Sequence, residues 1–180
     1  MRNAGKRFEE DFAKSVPRQH VIHRLPDAAQ SFGGNSNLRF SRKNPFDYIL
    51  FDTEHRVLYA LELKTVDKKS ISFERSEDED KEIHLHQIKG LQTWDQYAGV
   101  VAGFVIEFRP IETTIFIDIS SFCKMTDLNN KKSFTIADLD YMHLPYYIIP
   151  QTKKRTRHTY DVAAFLNMTY RLGEAPTTED

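Results

Sequence analysis

Residues 44–65 read "NPFDYILFDTEHRVLYALELKT". Two apolar runs, 46–52 and 57–65, flank the polar segment "DTEHR", the pattern of two strands joined by a turn. Into these runs the sequence sets Asp47 at the head of the first and Glu62 and Lys64 near the end of the second. Side chains alternate along a strand, so Glu62 and Lys64 share one face while Leu61 and Leu63 share the other. A turn centred between Glu54 and His55 pairs residues whose numbers sum to 109, which sets Asp47 opposite Glu62. Opposed residues on antiparallel strands bring their Cβ atoms to about 4.5–5.5 Å.

Two carboxylates that close on a half-buried sheet repel each other and resist ionising together. A divalent cation between them removes the conflict. One or two carboxylates, with the other positions left to water and phosphate, is the usual way to hold Mg²⁺, and Mn²⁺ is expected to substitute. Lys64 faces the same space, where an ammonium stabilises charge developing on a phosphoryl oxygen or orients an attacking water. The competing reading is an exposed hairpin with a cross-strand Glu–Lys pair, since "ExK" alone is common. The apolar row that buries Leu61 and Leu63 beside these charges argues against it.

The rest of the chain bounds the chemistry. At 180 residues, 40% hydrophobic and 28% charged, it has the composition of a globular protein able to bury a core. No apolar run is long enough to span a membrane, and the N-terminus lacks the apolar centre of a secretory signal. A single cysteine, Cys123, suits a reducing cytoplasm. The net charge of −1 hides an uneven distribution. Residues 1–44 hold nine Lys/Arg against four Asp/Glu, "KKRTRH" adds Lys153, Lys154, Arg155 and Arg157, and acid gathers in "ERSEDEDKE" at 74–82. A basic face is therefore compatible with the total, and with a nucleic-acid partner. The segments at 39–43 (Arg39, Phe40, Arg42, Lys43) and 153–160 mix cations with aromatics, which fits phosphate contacts and base stacking as well as ordinary surface chemistry.

The pattern predicts a helix over 4–15, a short strand at 20–25, a glycine- and asparagine-rich projecting loop at 26–44, and the two strands described above. A long polar connection follows at 66–82, then a helix through Ile88, Leu91 and Trp94 that Gly99 stops. "GVVAGFVIEF" and "TTIFIDISSF" read as strands around a turn at Pro110, "SFTIADLD" as a helical turn, "YYIIPQ" as a late strand and "YDVAAFLNMTY" as a last helix ended by Gly173. The whole is an α/β fold, a mixed sheet flanked by helices, in one domain over 1–172 with a disordered tail at 173–180. His84 and His86, one residue apart, diverge on a helix and would converge only on a strand, and no CxxC or HExxH accompanies them, so the sequence argues against zinc.

"PFD" at 45–47 followed by "ELK" at 62–64 resembles the signature of the PD-(D/E)XK nuclease superfamily. "GKRFEE" resembles the opening helix of the RecU-type Holliday junction resolvases of Gram-positive bacteria and their phages, and "KSISF", "HQI", "AGFVIEF", "IFIDISSF", "KSFTIADLD" and "RHTYDVAAFL" follow the signature in that family's order, over roughly residues 5–170. The resemblance implies a restriction-endonuclease-like fold in which 26–44 is a stalk inserting at a DNA junction. It implies Asp47 and Glu62 as Mg²⁺ ligands, with the Leu63 carbonyl joining them, Lys64 as the catalytic lysine, and Glu9 as an additional acid of the metal site. Gln87 would position substrate or water, or else is a polar residue at the edge of an amphipathic helix. The expected activity is Mg²⁺-dependent cleavage of four-way DNA junctions by a cytoplasmic homodimer, with a recombinase as a further partner. The glycine-rich 26–44 segment and the acidic 74–82 insertion depart from the family pattern. A sequence-specific or repair nuclease on the same scaffold, and a non-catalytic junction-binding protein, are the alternatives.

Overall fold

A computed structural model of the chain describes residues 4–26 and 44–174. The expected hairpin is formed by β2 (Tyr48–Asp52) and β3 (Val57–Val66), with Tyr48 opposite Leu61 and Asp52 opposite Val57. That is the register read from the sequence. It holds because any one-residue slip would turn the apolar rows of both strands to the wrong faces.

Around this hairpin a six-stranded mixed sheet is built in the order β1-β2-β3-β5-β6-β8. The outer strands are β1 (Val21–Arg24), antiparallel to β2, and the two-residue β8 (Tyr147–Ile148), antiparallel to β6. At the centre, β3 runs parallel to β5 (Val100–Phe108), which pairs antiparallel with β6 (Thr113–Asp118). Every residue of β5 after Val100 is buried, as expected for a strand covered on both faces.

The two faces carry separate apolar clusters. Helix α1 (Ala4–Ser15) brings Phe8 and Phe12, and α5 (Val162–Thr169) brings Phe165 and Leu166, against Tyr59, Leu61, Leu63, Val105 and Phe116. On the opposite face, α2 (Leu85–Trp94) and α3 (Ile119–Leu128) place Ile88, Leu91, Phe122 and Met125 against Ala60, Val66, Phe104 and Ile106. The strand alternation in β3 is thus visible in the packing. Odd residues face α1 and α5, and the even row Ala60, Glu62, Lys64, Val66 faces α2.

The structure departs from several expectations. The polar connection at 66–82 contains β4 (Ser70–Ser72), which pairs antiparallel with β7 (Ser133–Thr135). Phe73 then bridges Ile83, and Ile71, Phe73 and Ile83 are fully buried. Charged neighbours mask this apolar alternation in the sequence. The run "TTIFIDISSF" is only half strand: Asp118 accepts the Ser121 N–H at 2.9 Å and starts α3 there, local capping overriding β-propensity. The helical turn expected in "SFTIADLD" is, by contrast, present as helix α4 (Ile136–Tyr141), whose N-cap Thr135 and Asp138 bond reciprocally. Helix α2 ends at Trp94 with Asp95 as its cap, so Gly99 does not stop it. Gly99 instead takes a left-handed φ of 80° in the turn before β5, where its N–H meets the Gly173 carbonyl. The basic segment at 151–160 is a hairpin of β9 (Gln151–Lys154) and β10 (Arg157–Tyr160). The interior of the projecting segment and the last six residues lie outside the described residues. The segment's two ends meet, because the Asn44 amide donates to the Pro26 carbonyl at 2.5 Å. Among the described residues no helix is long and apolar enough to cross a membrane.

Candidate active site

Asp47 directly precedes β2, and its backbone N–H donates to the carbonyl of Leu61, the residue paired with Tyr48, so Asp47 sits one residue out of the hairpin register rather than squarely opposite Glu62. Its Oδ2 accepts the Leu63 N–H at 2.9 Å, so the carboxylate is fastened to the strand that carries Glu62 and Lys64. Glu62 is 2% exposed. Lys64 Nζ lies 3.0 Å from Glu62 Oε1, and the Gln87 amide, reaching across from α2, donates to that same oxygen. Both contacts fall on Oε1 and the Asp47 contact falls on Oδ2. Glu62 Oε2 and Asp47 Oδ1 are therefore the oxygens most open to an ion.

Burial dominates the electrostatics. It pushes the Glu62 carboxyl up to about 8; Lys64 pulls it back down and Asp47 pushes it further up. Asp47 is likewise raised by burial, to about 6, against the lowering effect of the Leu63 N–H; Glu9 adds to the rise, while Lys64 and Arg24 oppose it. Two carboxyls that resist ionisation side by side, with one ammonium between them and the chain, form an oxygen-donor set deficient in positive charge. Its chemistry fits a hard divalent cation such as Mg²⁺.

The remaining expected residues fall into three groups. Glu9, on α1, is close enough to act on both carboxyls electrostatically, but its own carboxylate is held by Arg24 Nε at 3.0 Å. Arg24 is thus part of the site, and nothing in its sequence context marks it. Gln87 reaches the site and also caps its own helix, since Gln87 Oε1 accepts the His84 N–H at 2.9 Å. Leu63 contributes its backbone through the Asp47 contact.

Helix α2 approaches so closely because residue 90 is glycine: a Cβ there would lie 2.5 Å from Pro45 Cβ. The contact locks the helix that carries Gln87 against the segment that leads into Asp47. Phe46 packs edge-on against Trp94 a turn later, reinforcing it. Sequence reasoning missed this role of Gly90, which reads as a minor flaw in a helical pattern.

Of the basic residues expected to meet DNA, Arg39, Arg42 and Lys43 lie outside the described residues. Arg157 is engaged within the protein: Nε donates to Asp11 Oδ1 at 2.6 Å and Nη2 to Glu10 Oε2 at 3.1 Å, tying β10 to α1. Lys153 pairs with Glu112. Lys154 and Arg155 are exposed at the hairpin turn, where Arg155 takes a left-handed φ of 48°.

No protein-family model matches the chain. It is 32% identical over 132 residues to an uncharacterized SPβ prophage-derived protein of Bacillus subtilis, YotM, covering 72% of this chain. The match spans 63% of that relative's length. Among solved structures, a Holliday junction resolvase from the archaeal hyperthermophile Archaeoglobus fulgidus, Hjc, aligns over 76% of this chain and 93% of its own. The TM-score is 0.47 and the sequence identity 16%.

Proposed function

We propose that the chain is a metal-dependent endodeoxyribonuclease that cuts four-way DNA junctions. The observation that carries this reading is the convergence of Asp47, Glu62 and Lys64 at one point of the β2–β3 hairpin, with Glu62 buried and Lys64 Nζ at 3.0 Å from it. Ion-pairing a buried carboxylate is a poor way to gain stability, because desolvation offsets most of the attraction. Such a pair on a central strand, beside a second raised carboxyl, is better explained by chemistry.

Mg²⁺ held by Asp47 and Glu62 would supply Lewis-acid charge and an activated water for in-line attack on phosphorus. Around that centre the chain's own groups have separate tasks. Lys64 neutralises charge gathering on the phosphoryl oxygens. Gln87 holds Glu62 in one rotamer from across the helix, and the Leu63 N–H holds Asp47. Arg24 holds the Glu9 side chain in place through its 3.0 Å contact. Cleavage would leave a 5′-phosphate and a 3′-hydroxyl. The choice of a junction as substrate rests on the family resemblance of the motifs. Symmetric nicks on opposed strands then call for a two-fold dimer. The prophage origin of one relative fits a phage-type lineage.

The test is cleavage of a synthetic four-way junction beside a linear duplex of matching sequence, in Mg²⁺ or EDTA, by the wild type, Asp47→Asn and Lys64→Ala. Paired nicks on the junction alone, lost in EDTA and in Asp47→Asn and strongly slowed in Lys64→Ala, are expected. Equal cutting of the linear duplex would instead favour a sequence-specific or repair nuclease. Junction binding without nicking in Mg²⁺ or Mn²⁺ would overturn the enzymatic reading.

A further inference from the structure

The acidic segment at 74–82 and the histidines at 84 and 86 meet on the outer side of α2, where the proposed nuclease has no use for them. Glu74 is buried although it is charged, and the reason is local. Its Oε2 accepts the Leu85 N–H at 2.7 Å, capping the first turn of α2 from outside the helix, while Oε1 lies 2.7 Å from His84 Nδ1. Burial works against its charge, yet hydrogen bonds from His84, Leu85 and Lys81 keep the carboxyl below its ordinary range. Asp80 comes from the exposed part of the same loop. One donor atom from each of Glu74, Asp80 and His84 lies within 4.8 Å of the other two.

These three open onto a cavity of about 410 Å³ that Glu77, Glu79, His86 and Lys89 also line. Its two other acids are already neutralised, Glu77 by Lys89 at 3.1 Å and Glu79 by Lys132. The sequence suggested that His84 and His86 diverge on a helix. In the structure His84 is the N-cap, in extended backbone conformation, and the two rings stack with centroids 5.5 Å apart and planes 17° from parallel. A second imidazole therefore stands beside the three donors.

From this arrangement we infer a second metal site, held by Glu74, Asp80 and His84 and specific for a zinc-class transition-metal cation, that clamps the 74–82 loop to α2. One imidazole and two carboxylates are a donor set suited to that class, and unlike the all-oxygen pair at Asp47 and Glu62. Ligands at about 2.0–2.2 Å from a tetrahedral ion sit roughly 3.3 Å from one another. Glu74 and His84 are already that close at 2.7 Å, so the widest separation, to Asp80, must close by at most about an ångström and a half. Asp80 provides that movement, being exposed and on a loop. Glu74 Oε2 keeps its helix cap while Oε1 turns from His84 to the ion. The fourth position is left to water or His86. The inference concerns binding and does not depend on the nuclease reading.

Cobalt(II) reports on this site directly, because bound imidazole and carboxylate give it a visible ligand-field spectrum. The full chain, stripped with EDTA and returned to excess Mg²⁺ to occupy hard oxygen sites, would be titrated with Co²⁺ and then with Zn²⁺. One equivalent of Co²⁺ should bind and be displaced by Zn²⁺. His84→Ala and Asp80→Asn should each weaken binding about tenfold or more, whereas Asp47→Asn should leave it unchanged. Zn²⁺ should also raise the Tm of the wild type by a few degrees, and that of Asp80→Asn by less. Asp80→Asn touches no core residue, so it remains informative if His84→Ala folds poorly. Absence of saturable Co²⁺ binding, binding indifferent to both loop substitutions, or binding lost in Asp47→Asn would each overturn the inference.

Discussion

Gln87 and Lys64 both direct their nitrogens at a single oxygen, Oε1 of Glu62, one from a helix and one from two positions along the same strand. Glu62 is thereby fixed with Oε2 turned away from both. Gln87 also accepts the His84 N–H, so its side chain joins the start of α2 to the site. Gln87→Ala should cost about 1 kcal/mol of stability through the lost cap contact. If it positions Glu62, the concentration of Mg²⁺ giving half-maximal nicking should rise and the single-turnover rate fall by about tenfold or more. A change in Tm with unaltered Mg²⁺ dependence would reduce Gln87 to a helix cap.

Lys64 has a different signature. An ammonium that stabilises charge only as the phosphodiester breaks contributes little to binding the intact junction. Lys64→Ala should slow single-turnover cleavage by roughly 10²–10³-fold, in the range found on removing one stabilising donor. Junction affinity in Ca²⁺ should change by no more than about threefold. A parallel loss of affinity and rate would show a lysine that binds ground-state phosphate instead.

The raised carboxyls make metal-free stability depend on pH in a predictable direction. Asp47 moves from 3.8 to about 6 and Glu62 from 4.5 to about 8 on folding. Between these limits the folded protein keeps protons that the unfolded chain has released, so folding loses stability as pH rises. Below about pH 4 both states are protonated and the penalty vanishes; above about pH 8 it is complete. Melting in EDTA from pH 4 to 8.5 should show this decline, and Glu62→Gln should flatten it. Mg²⁺ displaces the same protons, so its affinity should climb across pH 6–8. Identical slopes for wild type and Glu62→Gln would contradict the account.

The basic hairpin divides into residues that hold the fold and residues free to meet phosphate. Arg157→Ala should lower the Tm, because Glu10 and Asp11 lose this cation and β10 loses one of its ties to α1. Lys154→Ala and Arg155→Ala should leave the Tm alone. If the hairpin tracks the DNA backbone, each should weaken junction binding and reduce the slope of log affinity against log salt by about one. Filter binding at several salt concentrations distinguishes the two behaviours.

The hairpin at the centre of this site was legible because both of its constraints are local. Alternation places Glu62 and Lys64 on one face, and the short turn brings Asp47 alongside Glu62, though its bonds go to Leu61 and Leu63 on either side. What stayed hidden depends on distant partners. Asp118 reads as part of a strand until its carboxylate is seen capping α3. Ile71 and Phe73 read as loop until β7 arrives beside them from more than sixty residues on. Arg157 looks like a DNA contact in a run of cations and is claimed by two acids on α1. Arg24 carries no signal at all beyond its charge.

Gly90 carries the sharpest test of how the site is assembled. On an exposed helix, glycine to alanine gains stability by about 1 kcal/mol. Here the added methyl would meet Pro45 at 2.5 Å, with the Pro45 Cα and carbonyl each at 2.9 Å, and backbone cannot turn aside as a flexible side chain would. Gly90→Ala should therefore destabilise by about 1–3 kcal/mol, as overpacking does. The strain has two exits: α2 backs away and withdraws Gln87 from Glu62, or the 45–47 segment shifts and carries Asp47 off its contact with Leu63. Either way Mg²⁺-dependent nicking should fall well beyond what the lost stability accounts for, and more than in Gly99→Ala, whose added Cβ meets nothing within 4 Å but sits at a φ of 80°. Rates compared at a temperature where both variants remain folded would decide it. A Gly90→Ala protein as stable and as active as wild type would show that the helix does not bear on the site through Pro45.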